Sequence, residues 1–136
     1  MIKEIVKDTF FLAQKSQEAT KEDLYLAQDL QDTLNANRAN CIGMAANMIG
    51  VKKRVIIVNM GLADLVMFNP VMTNKSLPFD TEESCLSLLG SRPTRRYQKI
   101  DVTFMDKNWN KQSLTLTGLA AQICQHELDH LEGIII

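Results

Sequence analysis

The segment HELDH, at residues 126–130, restricts the fold of this chain more than any other stretch. In an α-helix, residues four apart lie on one face, so the two imidazoles and the first carboxylate point to nearly the same side. Leu119, Ile123 and Leu131 recur on that stripe, so we expect the stripe to face the core. Ionisable side chains are costly to bury unless they are paired or coordinated. The pattern therefore predicts a helix whose buried face holds a metal ion.

The sequence contains helix signals near both ends of the chain. Apolar residues spaced three and four apart indicate a helix within residues 21–38, namely Leu24, Ala27, Leu30 and Leu34. Thr20 and Asp23 suit a capping box at its start. The helix that carries HELDH is expected to begin after Thr117, a suitable N-cap, and to end before Gly133. One predicted helix therefore lies near each end of the chain.

Runs rich in β-branched and aromatic residues fill the middle of the chain. They predict strands at residues 54–60, 64–70, 98–106 and 113–117, the first two joined by a turn at Gly61. The order of elements predicts an α+β fold with antiparallel sheets around the C-terminal HExxH helix and an N-terminal helix. At 136 residues the chain is expected to form a single domain, residues 1–136.

Charge and cysteine content exclude several classes of function. The net charge is −1, so nothing indicates a nucleic-acid or membrane-surface partner. No apolar run reaches the roughly 18 residues that a membrane-spanning helix needs. Three cysteines, with no signal-peptide core at the start, favour reduced thiols and a cytoplasmic protein.

The two histidines of HELDH are the only ones in the chain, so a metal site needs a third ligand of another kind. Glu132 lies roughly 200° around the helix from His130, and Cys124 is on the wrong side of the helix. Cys41, Cys85 and several upstream carboxylates stay open as candidates. Cys85 is favoured because it precedes a short apolar segment and a loop.

Three separated segments resemble the motifs of the peptide deformylase family. CIGMAANM (41–48), ESCLS (83–87) and HELDH (126–130) match the family's GxGxAAxQ, EGCLS and HExDH in the same order and at similar spacing. The resemblance covers nearly the whole chain. It implies a metal-dependent hydrolase of linear amides that removes the N-formyl group from the N-terminal formylmethionine of nascent polypeptides and releases formate. Its partners would be N-formylmethionyl peptides, as nascent chains at the ribosome.

The resemblance also implies a metal site. Carried over residue by residue, it makes Cys85, His126 and His130 the ligands of one Fe(II) ion per chain, which zinc, nickel or cobalt can replace. Water takes the fourth, open position.

Catalytic roles follow from the same resemblance. Glu127 would be the general base, and backbone groups of Gly43 and Leu86 would hold the substrate and help to stabilise the oxyanion. The family has a glutamine that donates to the oxyanion at the position of Met48, and a thioether cannot donate. Losing one such donor typically costs ~10²–10³ in rate unless another group, such as Asn47 or a water, replaces it.

These departures from the family pattern leave two alternatives to an active deformylase. One is a deformylase-like protein that binds metal and peptide with little or no turnover, because Met48 replaces the glutamine. Cys41 and Ser84 also stand where the family has glycine. The other is a zinc peptidase with HExxH chemistry, which the missing downstream ligand disfavours. Arginines 92, 95 and 96 are expected to lie on a solvated turn.

Overall fold

A computed structural model describes residues 1–136. It contains three α-helices, two 3₁₀ turns and five strands. In chain order these are α1 (Thr9–Leu12), a 3₁₀ turn (Lys21–Asp23), α2 (Leu26–Ala36), β1 (Gly43–Ala45), a second 3₁₀ turn (Ala46–Ile49), β2 (Val55–Asn59), β3 (Asp64–Ser84), β4 (Ser91–Met105), β5 (Lys111–Thr117) and α3 (Gly118–Leu131).

The five strands form one antiparallel sheet in the order β1-β2-β3-β4-β5. The predicted α+β class is therefore confirmed, and the predicted strand at 64–70 is the start of a much longer β3. Residues 74–84 of β3 are mostly exposed, so their sequence lacks the alternation of apolar and polar residues that predicts a strand. They pair with β4 as a two-stranded arm, which brings residue 84 to the edge of the core.

The core lies where β2 is covered on both faces. Residues 55–58 of β2 are fully buried, and this strand contacts both α2 and α3. On α2, Leu26, Leu30 and Leu34 are fully buried as well. Leu24 and Ala27 of the predicted stripe are only partly buried. Burial of such side chains contributes roughly 1.5–3 kcal/mol each. The packing holds the part of α3 that carries HELDH against the sheet.

Local signals fix the ends of the helices. Thr20 and Asp23 form the predicted capping box, but the helix opens with a 3₁₀ turn before α2 begins. Thr117 occupies the N-cap position of α3 without a side-chain hydrogen bond. Gly133 has a φ of +76°, and a Cβ there would lie 2.3 Å from the carbonyl oxygen of Ala13. A glycine is therefore required where α3 ends against the N-terminal segment. No helix in the protein has the length and apolar character needed to cross a membrane.

Candidate metal centre

Three donor atoms converge where α3 faces the loop after β3. The Sγ atom of Cys85 and one ring nitrogen each of His126 and His130 lie within 4.8 Å of one another. The Nε2 atoms of the two histidines are 3.0 Å apart, because one helical turn separates the residues. Both histidine residues are buried. The three side chains that the sequence singled out as ligands are therefore brought together, with Cys85 rather than Cys41 completing the set.

Glu83 fixes the orientation of the first histidine. A carboxylate can only accept, so Nδ1 of His126 donates its proton to Oε1 of Glu83 over 2.8 Å. This contact leaves Nε2 of His126 directed towards Cys85 and His130. Carboxylates commonly hold metal-binding histidines in this way, since the hydrogen bond selects the tautomer and raises the basicity of the free nitrogen.

Arg96 was expected on a solvated turn, and that expectation is wrong. Its side chain is 4% exposed, and its Nε and Nη2 atoms donate to both carboxylate oxygens of Glu83 at 2.7–3.1 Å. Its Nη1 atom donates to Asp129 of HELDH at 2.7 Å. Arg96 is buried because β4 crosses beneath α3, where two carboxylates offset its charge. Arg95, one residue earlier, is exposed and pairs with Asp80.

The two histidines differ in how readily their imidazoles are protonated. Burial opposes protonation of His126, but hydrogen bonds to Cys85 and Glu83 outweigh it and raise its pKa to about 10. Burial, together with the charge of His126, lowers the pKa of His130 to about 3. The pair thus accommodates one positive charge between its facing nitrogens. A metal cation bound by a thiolate and two neutral imidazoles suits this donor set.

Glu127 is the one carboxylate of the site with an unpartnered oxygen. Its side chain is 3% exposed, and Oε1 has no hydrogen-bond partner. Burial raises the pKa of Glu127 to about 7, with the charge of His126 opposing the shift and that of Glu83 adding to it. A carboxyl group that titrates near neutrality beside three metal donors can take up and release a proton.

A cavity of about 330 Å³ opens beside the three donors and Glu127. One wall is apolar and includes Ile42, Leu119 and Ile123. Leu119 was expected in the core, but it is 61% exposed and stands at the mouth of the cavity. This position of the stripe therefore meets the cavity and solvent instead of the core.

The first motif supplies backbone groups at the rim of this cavity. β1 is an edge strand, and Asn59 N–H donates to the carbonyl of Ile42, so alternation turns the backbone groups of Gly43 away from β2. A Cβ on Gly43 would lie 2.5 Å from Cγ2 of Ile123 and 3.0 Å from Oε2 of Glu127. Only glycine allows this approach. Leu86 also lines the cavity, and its N–H donates to no group of the protein.

Two neighbouring residues show how the glutamine position has changed. Met48 lines the cavity, is 1% exposed, and accepts a hydrogen bond from the N–H of Ala45 at its sulfur. Asn47 was considered as a replacement donor for the oxyanion, and the structure contradicts this. Its Nδ2 atom donates to the backbone carbonyl of His130 at 2.9 Å, and Asn47 does not line the cavity.

The remaining thiols have different surroundings. Cys41 lines the cavity, and its thiol donates to the carbonyl oxygen of Gly43 at 2.8 Å. Burial is the main reason that the pKa of Cys41 is raised to about 12, so the group is a neutral thiol. Cys124 is fully buried in the core on the far side of α3, as its helical position predicts.

Sequence reasoning missed the residues that hold the ligands in place. Glu83 is bonded to Arg96, His126 and Gln122, and none of these partners is near it in sequence. One signal was available, because Glu83 and Asp129 both belong to the quoted motifs although neither had a role. A buried arginine between them is a natural partner, but only the side-chain contacts show which arginine it is, because the register of β3 and β4 places Arg92 opposite Glu83.

Comparisons with known proteins match the whole chain to one family. The polypeptide deformylase family model matches residues 2–136. A peptide deformylase of Clostridium beijerinckii is 57% identical over 136 residues, which is the whole of both chains. Peptide deformylase 1 of Clostridium perfringens is 37% identical over 113 residues, covering 81% of this chain and 76% of the relative.

Solved structures show the same fold. A class I type b peptide deformylase from Acinetobacter baumannii superposes with a TM-score of 0.89 at 28% identity, covering 99% of this chain and 97% of that one. A probable peptide deformylase from Synechococcus phage S-SSM7 gives a TM-score of 0.86 at 34% identity, again over 99% and 97%.

Proposed function

This chain belongs to the polypeptide deformylase family and removes the N-formyl group from nascent peptides; we propose that it does so with Cys85, His126 and His130 as metal ligands and Glu127 as general base. The observation that carries the proposal is the convergence of three donor atoms within 4.8 Å beside a buried carboxylate with an unpartnered oxygen. Each group that amide hydrolysis requires thus has a counterpart in this chain.

The family is metal-dependent, and we assign Fe(II), or zinc, nickel or cobalt in its place, to the site, with one ion per chain. A thiolate with two imidazoles is a donor set for such borderline metals, in contrast to the oxygen ligands that magnesium and calcium prefer. When bound, the ion supplies a Lewis acid that polarises the formyl carbonyl. Glu83 and Arg96 keep His126 in the tautomer that coordination needs.

Glu127 moves the proton of the reaction. Its unpartnered Oε1 accepts a proton from the attacking water as the water oxygen bonds to the formyl carbon. The same carboxyl then gives this proton to the departing amine as the carbon–nitrogen bond breaks, so formate and a peptide with a free amino terminus leave. A pKa near 7 suits both transfers, since the group is neither too weak a base nor too weak an acid.

The cavity orients the substrate. With the formyl carbon beside Glu127, the methionyl side chain extends along the wall formed by Ile42, Leu119 and Ile123. The free N–H of Leu86 donates to the developing oxyanion, and backbone groups of Gly43 hold the peptide at the edge of the sheet. Met48 adds an apolar surface there and no hydrogen bond.

The binding-only alternative is not favoured, since the chain matches peptide deformylases over its full length. Met48 therefore lowers the number of oxyanion donors without removing the ligands or the base. We further propose that the chain acts as a single domain, residues 1–136, in the cytoplasm on nascent chains at the ribosome. The net charge of −1 does not indicate a nucleic-acid partner, and no helix has the length and apolar character needed to cross a membrane.

Formate release from a formylmethionyl peptide tests the proposal. The protein is purified without oxygen and loaded with Fe(II), and Glu127→Ala and Met48→Gln are assayed beside it. We expect release by the wild type, its near-complete loss in Glu127→Ala at full metal occupancy, and a faster rate in Met48→Gln. Metal binding without release, rescued by Met48→Gln, would instead establish the binding-only protein. Cleavage of an unformylated peptide would point to a peptidase.

A further inference from the structure

Asn47 is a fully buried polar side chain that the reaction does not use. It belongs to the 3₁₀ turn after β1 and is 0% exposed. Its Nδ2 atom donates to the carbonyl oxygen of His130 at 2.9 Å, and its Oδ1 atom has no partner. Leaving one half of a buried amide unsatisfied is costly. Losing the bond to His130 would leave both polar atoms of this amide without a partner, so the bond is strongly favoured. It joins residues 83 positions apart in sequence.

The carbonyl of His130 lies where α3 needs an external donor. The last carbonyls of a helix have no partner within it, and α3 ends at Leu131. Gly133 N–H donates to this carbonyl at 3.1 Å in the C-terminal turn, and Asn47 is the one side chain that does so. The amide thus holds the peptide unit that directly follows the Cα of His130.

The turn that carries Asn47 is itself fixed. Val6 N–H donates to the carbonyl of Met48 at 2.8 Å, and Gly50 ends the turn with a φ of +89°. A rigid donor on one side and a helix end on the other limit the movement of His130. Its ring must keep Nε2 facing that of His126, 3.0 Å away, for both to bind one ion.

We propose that Asn47 is a positioning residue that holds the backbone of His130 and thereby slows loss of the metal. This inference rests on the proposed function, because it takes His130 to be a ligand. It assigns Asn47 to retention of the metal and not to the oxyanion. Neighbours that orient metal ligands typically contribute 10–100-fold to metal affinity.

Metal dissociation from the Co(II)-loaded protein tests the proposal. A chelator is added, and the loss of the Co(II) absorption bands is followed in wild type, Asn47→Leu and Thr33→Val. Leucine has nearly the shape of asparagine but cannot donate. Thr33→Val is the matched control, since Thr33 is also 0% exposed and its hydroxyl donates to a backbone carbonyl, that of Asp29, on α2.

We expect Asn47→Leu to lose Co(II) on the order of 10-fold faster, with shifted absorption bands and a lower kcat at nearly unchanged KM. Thr33→Val should keep the wild-type dissociation rate although it also loses stability. Asn47→Ala, which removes the amide without adding bulk, replaces Asn47→Leu in the comparison if the latter does not fold. A wild-type dissociation rate and spectrum in the folded Asn47 variant would overturn the proposal alone. A wild type that holds no Co(II) would overturn the proposed function as well.

Discussion

Glu83 and Glu127 are both buried beside the same histidine, yet their surroundings are opposite. Glu83 accepts hydrogen bonds from Arg96, His126 and Gln122. Glu127 has an oxygen with no partner at all. Burial alone would raise the pKa of both carboxyls. At Glu83 the hydrogen bonds outweigh burial and lower the pKa to about 2, whereas at Glu127 burial prevails and raises the pKa to about 7.

This contrast indicates two different roles for carboxylates within one site, one in positioning and one in proton transfer. A carboxylate whose oxygens are occupied keeps a fixed charge and a fixed position, so Glu83 can orient His126. A carboxyl that is desolvated and unpartnered changes its protonation near neutrality, so Glu127 can carry a proton. Pairs of acids whose environments push their pKa values apart commonly divide the roles in this way.

Replacing the unpartnered carboxylate should have the largest effect on activity. We expect Glu127→Ala to lower kcat by ~10²–10⁴, because no other group of the site can accept the proton of water. Its stability and metal content should stay at or above wild type, since the change removes a buried group without a hydrogen bond at Oε1. Steady-state kinetics, metal analysis and urea unfolding check these points. If the metal-loaded Glu127→Ala protein kept the wild-type kcat, another residue would have to be the general base.

Breaking the paired carboxylate should act on stability first. Arg96→Leu leaves Glu83 charged and buried without its main partner, so we expect a loss of ~3–5 kcal/mol in the free energy of unfolding. Metal affinity should fall as well, because Glu83 then holds His126 less firmly. Urea unfolding and a metal titration measure the two effects.

Arg95→Leu is the matched control for that experiment. Arg95 is the next residue on β4, and its side chain is 64% exposed in its pair with Asp80. Exposed ion pairs contribute little, so Arg95→Leu should change neither stability nor metal affinity appreciably. Equal effects of the two substitutions would mean that Arg96 stabilises the sheet surface and not the site.

Removing one uncharged hydrogen-bond partner of Glu83 should have a smaller effect on stability. Gln122 donates its Nε2 hydrogen to Oε2 of Glu83 at 3.0 Å, and Arg96 and His126 remain after its loss. We expect Gln122→Leu to cost about 1 kcal/mol of unfolding free energy. Gln112→Leu is the control, because Gln112 donates the same kind of hydrogen bond to Asp106 at an exposed site. If the two variants were equally stable, the bond from Gln122 would not contribute to holding Glu83.

The sequence predicted the reactive residues of the site better than the residues that hold them in place. His126, Glu127 and His130 lie on one helix, so helical spacing alone places them together. Glu83 lies on β3 and Arg96 on β4, four residues beyond Arg92, which the register places opposite Glu83. The exposed residues of that arm carry no periodic signal that would predict the contact. Contacts between residues far apart in sequence depend on register, which a single sequence does not display.

The same reason explains the errors at two single positions. Asn47 could be placed in the first motif, but whether its amide faces the cavity or the end of α3 depends on the turn after β1. Leu119 fits the apolar stripe of α3 by spacing, and only the position of the sheet shows that the stripe leaves the core there. Periodicity predicts which residues share a face, and tertiary packing decides what that face meets.

A third carboxylate, outside the metal centre, extends the comparison to a less enclosed pair. Asp64 accepts hydrogen bonds from Arg38, Gln31 and Asn59, and the Arg38 side chain is 41% exposed. The bond from Arg38 is the main cause that holds the pKa of Asp64 well below its ordinary 3.8, with burial opposing. Asp64 therefore resembles Glu83 in its partners and in the burial of its side chain, but its arginine partner is far more exposed than Arg96.

The smallest expected effect is the acid dependence that Asp64 gives to stability. Its pKa is lower in the folded protein, so the unfolded chain binds more protons between the two values, and stability rises with pH there. The contribution is complete above the unfolded pKa and is lost as the pH falls through the folded one. The stability difference between wild type and Asp64→Asn should therefore be present at about pH 7 and shrink below about pH 4. Urea unfolding of the metal-free proteins measures this difference, and all other groups titrate alike in both proteins. A difference that stays constant down to about pH 3 would mean that Arg38 does not hold Asp64 in its charged form.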